Sequence, residues 1–225
     1  MSYTFVDDVT EPARTQSGRM TFYGTFGKRV LDIVIVLLAS PIAIPLVLLA
    51  AIGMSFGGAK GIYGQPRIGR DGRVFRCWKI RTMVPKADEA LLRLVASDPA
   101  IAREWHLNQK LENDPRITRL GYILRKLSID ELPQFWNVLT GEMSLIGPRP
   151  FTPEQKALYD ENGPKRAYYR VRPGISGLWQ VECRNQGGFQ ERVTYDEAYA
   201  EKISFGADLK IAIKTVAAIA GGTGQ

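Results

Sequence analysis

The chain has 225 residues, with 30 Lys and Arg against 23 Asp and Glu, giving a formal net charge of +7. This length suits one folded domain with an attached element and is enough for a hydrophobic core. The basic excess favours an anionic partner, either nucleic acid, an anionic membrane surface or phosphorylated substrates, and does not choose among them. The two cysteines form no C-x-x-C pair, and together with the single histidine they are too few to build a zinc centre.

The first part of the chain combines a polar tail with a long apolar segment. Residues 1–22 are mixed in composition and predict a flexible tail. Residues 33–59 form a run of 27 residues without a charge, mostly Ile, Val, Leu and Ala. A straight helix of that length measures roughly 40 Å, against about 30 Å for the hydrocarbon core of a bilayer. A standard cleaved signal peptide is not indicated, because about thirty residues precede the run and no A-x-A site follows it closely.

Two features of this segment favour a re-entrant membrane helix over residues 23–60. Ser40-Pro41 and Pro45, near its middle, predict a kink or break, and the Ser40 hydroxyl can bond a carbonyl that the break frees. Basic residues on both flanks mark both ends as cytoplasmic. A single span and a buried core helix are the other two interpretations. The core helix is the weakest, since 27 uncharged residues exceed what it needs. The flanking cations are Lys28, Arg29, Lys60, Arg67, Arg70 and Arg73.

The rest of the sequence predicts short elements. Residues 74–81 roughly alternate apolar and basic side chains, which indicates a strand with several cations on one face. The C-terminal helix has Lys210 and Lys214 on one face with apolar residues near the other, so it suits either a membrane-interfacial helix or a core-packing helix. Helices are predicted at 86–112 with an interruption at Pro99, at 117–127, 131–139, 153–170 and 195–219, with a loop at 172–177 and a strand at 178–181.

Asp130 and Glu131 are adjacent carboxylates at a predicted helix start. Helix capping alone explains them, since Ser128 and Glu131 match the S-x-x-E capping box. With Ser128 as the cap, however, Pro133 is the fifth helical residue and lacks a donor that the helix needs. With Asp130 as the cap, Pro133 is the third, where a missing N–H costs nothing. The helix is therefore predicted to begin at Glu131, with Asp130 at its mouth, where a phosphate also binds well.

Cations surround this pair in the sequence. Arg125 lies just upstream, Arg149 is held between two prolines, and Lys79 and Arg81 lie on the predicted strand. Together they can hold a diphosphate beside a carboxylate, as phosphoryl transfer requires, usually with a metal. The helix end and the cations favour the charged form of Asp130, which we expect to be ionised at pH 7. No G-x-x-x-x-G-K-[ST] sequence is present, so an ATPase P-loop is not supported.

The longest informative run in the sequence is Leu124 to Pro150, LRKLSIDELPQFWNVLTGEMSLIGPRP. With the other stretches, the chain resembles the bacterial sugar transferase family of monotopic phosphoglycosyl transferases over roughly residues 24–220. It looks most like the short undecaprenyl-phosphate hexose-1-phosphate transferases of exopolysaccharide synthesis. Cys183 departs from the pattern, standing where the family usually has glycine. The other stretches are Ala39-Ser40-Pro41, FRCWKIRTM from Phe75, DPRIT from Asp114, RPGISGLWQV from Arg172, and Tyr195-Asp196.

The resemblance implies a two-step reaction. Asp130 would attack the sugar-bearing phosphate of a UDP-sugar, release UMP and form a phosphosugar-aspartyl intermediate, which a polyprenyl phosphate then attacks. Glu131 would assist with Mg²⁺ or with protons, and Asp130 and Glu131 are the expected metal ligands. The resemblance matches Lys79, Arg125, Arg149 and Asp196 to other functional positions of the family. We expect phosphate-binding roles for Lys79, Arg81, Arg125 and Arg149, and further substrate-binding roles for Arg172, Arg184 and Asp196.

These observations predict a small, mainly helical α+β fold associated with a membrane. It would comprise a re-entrant helix broken at Ser40-Pro41, interfacial helices, and a catalytic domain over 61–225 at the cytoplasmic face of a bacterial inner membrane. The expected cofactor is Mg²⁺. The expected partners are a UDP-sugar carrying galactose or glucose, undecaprenyl phosphate and membrane lipid. Nucleic acid is not expected as a partner, and a homodimer is left open.

Two other functions fit parts of the sequence. A non-catalytic membrane scaffold of a polysaccharide assembly system would keep the fold without the chemistry, and the intact Asp130, Glu131 and Arg149 argue against it. A basic nucleic-acid-binding protein would explain the charge but not the 27 uncharged residues. Release of UMP from UDP-sugars separates the enzyme from the scaffold, and partition into the membrane fraction separates both from the nucleic-acid binder.

Overall fold

The computed structural model describes residues 22–58, 60–161, 166–183, 189 and 191–221. These residues form a helix-dominated α+β fold with two small sheets, as predicted. Of the predicted N-terminal tail, only Phe22 falls within the described residues. The strands are β1 (Ile62–Ile68), β2 (Val74–Ile80), β3 (Ser144–Ile146) and β4 (Gly174–Ser176). The helices are α1 (Lys28–Ser55), α2 (Ala87–Ser97), α3 (Pro99–Asn108), α4 (Arg119–Lys126), α5 (Gln134–Thr140), α6 (Lys156–Asp160), α7 (Arg166–Arg170), α8 (Leu178–Glu182), α9 (Arg192–Glu201) and α10 (Phe205–Ala220).

Helix α1 is long, apolar and largely exposed. With the π-helical turn that precedes it, it extends from Tyr23 to Ser55, 33 residues, which is long and apolar enough to cross a membrane. Only 11% of its most apolar window is buried, and Leu38 is 75% exposed. A core helix of a soluble protein buries most of its apolar surface, so this exposure disfavours that interpretation. The helix is therefore compatible with membrane association.

The helix continues through both of its prolines. Pro41 and Pro45 lie inside α1, which remains one element from Lys28 to Ser55, so the kink or break predicted at Ser40-Pro41 does not end the helix. Each proline removes only one donor, and the other hydrogen bonds of the helix can remain. The Ser40 hydroxyl donates to the Val36 carbonyl at 2.7 Å, in the kind of compensating bond that the sequence predicts.

Strands β1 and β2 form an antiparallel hairpin in the register Ile62↔Ile80 to Ile68↔Val74. Its turn uses positive φ angles at Asp71 (59°) and Gly72 (72°), which Asp and Gly tolerate better than other residues. The second strand confirms the prediction for 74–81. Its alternating side chains bury Phe75 and Cys77 against α1 and α5, so the strand packs directly on α1.

The segment after Arg172 differs from its prediction. The strand is Gly174–Ser176, paired in parallel with β3, whereas Leu178–Glu182 is helical. Close backbone contact explains the strand, since a Cβ on Gly174 would lie 2.1 Å from the Gly147 nitrogen. Short apolar runs such as 178–181 do not by themselves distinguish strand from helix, and here the Val181 N–H bonds the Gly177 carbonyl across a helical turn.

The two long helical predictions are each divided in the structure. Helices α2 and α3 meet at Asp98-Pro99, where the Asp98 side chain caps α3 by accepting from the Ala100 N–H, as the interruption at Pro99 predicts. The predicted helix at 195–219 is α9 followed by α10, with Ser204 capping the second. Four apolar residues are exposed along α10 and make it amphipathic: Phe205, Leu209, Ile213 and Val216.

The start of α1 is tied to the end of the fold through one buried carboxylate. Asp208 on α10 pairs with Lys28 and accepts hydrogen bonds from the hydroxyls of Tyr23 (2.7 Å) and Tyr199 (2.8 Å). One turn further along α1, Asp32 accepts from the Ser144 hydroxyl at 2.7 Å. Buried charges need such partners, so these contacts fix the start of α1 against α10 and β3.

Candidate active site

Three elements converge on the predicted carboxylates: the end of β2, the turn between α4 and α5, and the loop after β3. The turn corrects the sequence prediction, because Asp130 is not a helix cap. It lies in a 3₁₀ turn, Ile129–Glu131, and α5 begins only at Gln134. Ser128 ends the preceding helix with a positive φ of 55°, and Pro133 occupies the position before α5. The Asp130 carboxylate therefore has no capping role to fulfil.

Glu131 is the electrostatic centre of the site. Its Oε1 accepts from Lys79 Nζ at 3.0 Å and from Arg149 Nη2 at 3.1 Å. Burial would raise the pKa of Glu131, but the charges of Lys79 and Arg149 outweigh it and lower that pKa to about 2. Glu131 is thus ionised throughout the physiological range, and two cations from distant parts of the chain meet on one carboxylate oxygen.

Asp130 is buried beside this cluster but is not bonded into it. It is 8% exposed, and within the described residues its carboxylate accepts no hydrogen bond. Burial, and then the charge of Glu131, raise its pKa to about 6, against the opposing effect of three cations. The prediction that its surroundings favour the charged form is therefore wrong in direction, although a group with this pKa is still mainly ionised at pH 7. An ionised, buried carboxylate without a hydrogen bond is available to attack or to bind a ligand.

The other two predicted phosphate-binding arginines differ in position. Arg125 donates from Nε to the Thr82 hydroxyl at 2.8 Å and is one of the cations that oppose the rise in the pKa of Asp130, so it borders the site. Arg81 donates from Nε to the Lys60 carbonyl at 3.0 Å and lies over the Tyr63 ring. Arg81 is therefore not among the cations that bind the carboxylates.

Comparison with known proteins supplies the decisive observation. The sequence profile described as "Bacterial sugar transferase" matches residues 23–222. The chain belongs to the bacterial sugar transferase family. This confirms the resemblance seen in the sequence, and with it the prediction of a transferase.

Several curated relatives are similar over most of this transferase. The "Exopolysaccharide production protein ExoY" of Sinorhizobium fredii is 42% identical over 205 residues, covering 91% of this chain and 90% of that protein. The "UDP-glucose:undecaprenyl-phosphate glucose-1-phosphate transferase" of Caulobacter vibrioides is 38% identical over 84% of this chain and 68% of that protein. The "Undecaprenyl-phosphate galactose phosphotransferase" of Salmonella typhimurium is 40% identical over 96% of this chain, which spans only 44% of that protein.

The remaining predicted substrate-binding residues of the transferase lie away from its carboxylate pair or outside the described residues. Arg172 donates from Nε to the Gly141 carbonyl at 2.8 Å, at the end of α5. Asp196 is buried, accepts from the Tyr159 hydroxyl at 3.1 Å and pairs with Arg192 at 3.3 Å. Burial raises the pKa of Asp196 to about 6, although Arg192 opposes the rise. Arg184 lies outside the residues that the structure describes.

Sequence reasoning missed a buried amide that assembles the site. Asn137 is fully buried on α5; its Oδ1 accepts from the Trp78 N–H at 3.0 Å, and its Nδ2 donates to the Arg76 carbonyl at 2.7 Å. These bonds attach α5 to β2 and so fix the carboxylate turn relative to Lys79. An amide in a helix gives no signal of this role in the sequence, because the partner strand is about 60 residues away.

The donor set of this transferase fits a divalent cation only in part. Among the residues that the structure describes, no three His, Cys, Asp or Glu side chains lie together as a metal cluster. Mg²⁺, however, is commonly held by one or two carboxylates together with water and substrate phosphates. Asp130, without a hydrogen bond in the described structure, and the neighbouring Glu131 provide two such carboxylates. The pair is compatible with Mg²⁺ if the substrate supplies further oxygens.

Proposed function

We propose that this transferase moves a hexose 1-phosphate from a UDP-sugar to undecaprenyl phosphate and releases UMP. The observation that carries the proposal is the contrast within one pair: Glu131 is neutralised by Lys79 and Arg149, while the neighbouring Asp130 is buried without a hydrogen bond from the described residues. The names of two relatives support the acceptor and the class of donor, with galactose in one and glucose in the other.

In the first step Asp130 acts as the nucleophile. One of its carboxylate oxygens forms a bond to the sugar-bearing phosphorus of the donor, and the bond from that phosphorus to the bridging oxygen breaks. The electron pair of the broken bond leaves with UMP, and the sugar phosphate remains on Asp130. Lys79, Arg125 and Arg149 would stabilise the negative charge of the transferring group, which is the main contribution an enzyme makes to this chemistry.

In the second step an oxygen of undecaprenyl phosphate forms a bond to the same phosphorus. The bond between phosphorus and the Asp130 oxygen breaks, which restores the carboxylate and yields the lipid-linked sugar diphosphate. A covalent intermediate divides one transfer between a soluble donor and a lipid acceptor into two displacements at one site. Mg²⁺ bound by Asp130, Glu131 and phosphate oxygens would supply further neutralisation of phosphate charge.

The contacts of α1 support a re-entrant course with the domain on one side of the membrane. Near the start of the helix, the Arg29 guanidinium donates to the Val138 and Leu139 carbonyls, and Val36 packs against β2. Near its end, Met54 packs against Ile80 and Leu124. A straight span would hold these ends roughly 40 Å apart on opposite sides of the bilayer, where one small domain cannot contact both. Since basic residues flank both ends, we place the domain at the cytoplasmic face of the inner membrane.

Intact-protein mass spectrometry tests the nucleophile. Incubation of the wild-type protein with a panel of UDP-sugars and Mg²⁺, without lipid acceptor, should add one hexose phosphate for the correct donor and release UMP. Asp130→Asn should gain no adduct, because a neutral amide cannot form the acyl phosphate. Since the Asp130 carboxylate makes no hydrogen bond with the described residues, its thermal stability should stay near that of the wild type. An adduct on the Asn variant would exclude Asp130 as the nucleophile, and absence of UMP for every donor would leave the scaffold interpretation.

A further inference from the structure

The loop that carries Arg149 is held almost entirely through its carbonyl groups. Pro148 and Pro150 have no N–H, so this loop cannot be secured by a regular ladder of backbone bonds. Instead, three consecutive carbonyls accept hydrogen bonds. The Pro148 carbonyl accepts from the Gly174 N–H at 2.8 Å, the Arg149 carbonyl from Arg192 Nη2, and the Pro150 carbonyl from Arg67 Nη1 at 2.8 Å.

Arg192 is an unusual donor for such a bond because it is almost completely buried. It is 3% exposed, although burial of a guanidinium is costly unless its charge is paired. Its charge is balanced by Asp196, whose Oδ2 lies 3.3 Å from both Nε and Nη2. Four aromatic rings also surround the guanidinium, with their centroids 5.2–5.6 Å from Cζ, a distance suited to cation–π attraction. The rings are those of Phe151, Tyr159, Trp179 and Phe189.

Arg67, on β1, contacts the same loop, and its guanidinium is also held by other hydrogen bonds. Its Nε and Nη2 donate to Gln65 Oε1 at 3.2 and 2.7 Å, which leaves Nη1 directed at the Pro150 carbonyl. In Arg192 and in Arg67, hydrogen bonds to other side chains therefore set the direction of the nitrogen that donates to the loop. A planar guanidinium can do this because its donors lie in a rigid fork, whereas a lysine ammonium has no such fork.

We propose that Arg192, oriented by Asp196, is a positioning residue for Arg149, with Arg67 as the second support of the loop. The inference rests on the proposed function, in which the Arg149 side chain bonds Glu131 and stabilises the transferring phosphate. With the carbonyls on both sides of the Arg149–Pro150 bond fixed, the Arg149 Cα is fixed, and its guanidinium reaches Glu131 Oε1 at 3.1 Å. Asp196 then acts through Arg192 and does not contact the substrate.

The test uses Arg192→Lys and Asp196→Asn in the full chain, in detergent or nanodiscs, with Lys214→Gln as the matched control. Lys214, on α10, also pairs with a carboxylate, that of Glu182 on α8 at 2.6 Å, and neither residue contacts Arg149 or Glu131. The first readout is amide hydrogen exchange of residues 143–152, which does not depend on activity. Both test variants should exchange at least tenfold faster there than the wild type, and the control should not differ from it.

The second readout is steady-state kinetics with the donor that the wild type uses. Arg192→Lys should lower kcat at least tenfold with the KM for the UDP-sugar changed less than threefold, because a displaced Arg149 fails mainly in the transition state. Combined with Arg149→Lys, it should add less than a threefold further loss, since both changes act through one guanidinium.

Each outcome decides the inference. Wild-type exchange of residues 143–152 in Arg192→Lys and Asp196→Asn, or fully additive kinetic losses, would overturn it. If Arg192→Lys does not fold, Asp196→Asn, which conserves side-chain volume, carries both readouts. If the wild type releases UMP from no donor, the proposed function fails, while the exchange measurement still decides whether Arg192 and Asp196 hold the loop.

Discussion

Adjacent carboxylates at positions 130 and 131 differ in pKa because their partners differ. Glu131 binds two cations directly and has its pKa lowered to about 2, while Asp130 is buried beside that charge and has its pKa raised to about 6. Two carboxylates whose surroundings separate their pKa values commonly have different roles in catalysis. Here the division is consistent with Glu131 organising the cations and Asp130 performing the attack.

The pH dependence of the first half-reaction follows from the Asp130 value. Because its folded-state pKa lies above the ordinary value of 3.8, the carboxylate takes up a proton as the pH falls through about 6, and the protonated form cannot attack. The rate of adduct formation should fall about tenfold per pH unit below that point. Single-turnover mass spectrometry between pH 4.5 and pH 8 measures it, and a rate that stays constant down to pH 5 contradicts a pKa near 6 for Asp130 in the reacting complex.

Arg149 offers a test of geometry at constant charge. Arg149→Lys keeps the cation but loses the planar fork that Pro148 and Pro150 present to the site. Turnover should fall by roughly tenfold to a thousandfold, about 1.4–4 kcal/mol of transition-state stabilisation. UMP release at saturating donor is the measurement, and Lys156→Gln, which removes an ion pair between α6 residues, is the control. Activity within twofold of the wild type would mean that Arg149 only closes a turn.

Among the elements, α1 allows the proposed membrane topology to be tested. Both of its ends contact the folded domain, while residues near its middle such as Leu38 and Ile42 are more than 70% exposed. If the helix enters and leaves by the same face, cysteines introduced at Phe22 and Phe56 should both be protected from an impermeant thiol reagent added outside intact cells. Both should react after permeabilisation. Labelling of only one site in intact cells would establish a single span instead.

The turn before α4 contains a buried ion pair that links stability to pH. Asp114 accepts from Arg116 Nε at 2.8 Å and Nη2 at 2.6 Å, and both side chains are at most 6% exposed. Burial would raise the pKa of Asp114, but the bonds from Arg116 outweigh it and lower that pKa. Because the folded-state pKa is lowered, the pair stabilises the protein at pH values above the ordinary pKa of 3.8. This stabilisation is lost as the pH falls through the folded-state pKa.

Asp114→Asn should therefore lower the free energy of unfolding at pH 7 by about 3 kcal/mol, since it leaves Arg116 buried without a counter-charge. The difference from the wild type should shrink as the pH falls below 3.8 and through the lowered folded-state pKa, where the wild-type carboxylate takes up its proton. Denaturant unfolding in detergent at several pH values measures this. Glu89→Gln, which removes an exposed pair with Lys86, should change stability by less than about 1 kcal/mol. A difference that does not vary with pH would show that the effect is steric.

At the scale of the whole molecule, sequence patterns predicted the elements whose signals are local. The strand at 74–80, the interruption at Pro99 and the long apolar helix all follow from periodicity, proline chemistry and length. The prediction that Asp130 caps a helix is wrong. Ser128 has a positive φ and α5 begins later, and the pattern of apolar residues does not indicate either feature. The prediction of a strand at 178–181 is wrong because a run of four mostly apolar residues is compatible with either a strand or a helix.

The residues of the site could be predicted mainly through the family resemblance and less through local sequence patterns. Lys79 and Arg149 meet on Glu131 across separations of 52 and 18 residues, which no local pattern encodes. The role of Arg192 was not predicted at all. The residue lies in a stretch of alternating charged and polar residues that is typical of a solvated helix face, and only tertiary packing shows that its guanidinium is buried among aromatic rings.

The buried Asp208 has a consequence for biosynthesis. Its partner Lys28 precedes it by 180 residues, so all of α1 leaves the ribosome long before the carboxylate that fixes its first turn is synthesised. At about 5–20 residues per second, that interval is on the order of 10–40 s. During this time Lys28 and Tyr23 must hydrogen-bond to water or, with α1 in the membrane as proposed, to lipid headgroups. Translation of α10 then supplies the buried carboxylate, so the contacts that hold the start of α1 against the rest of the fold form late in synthesis.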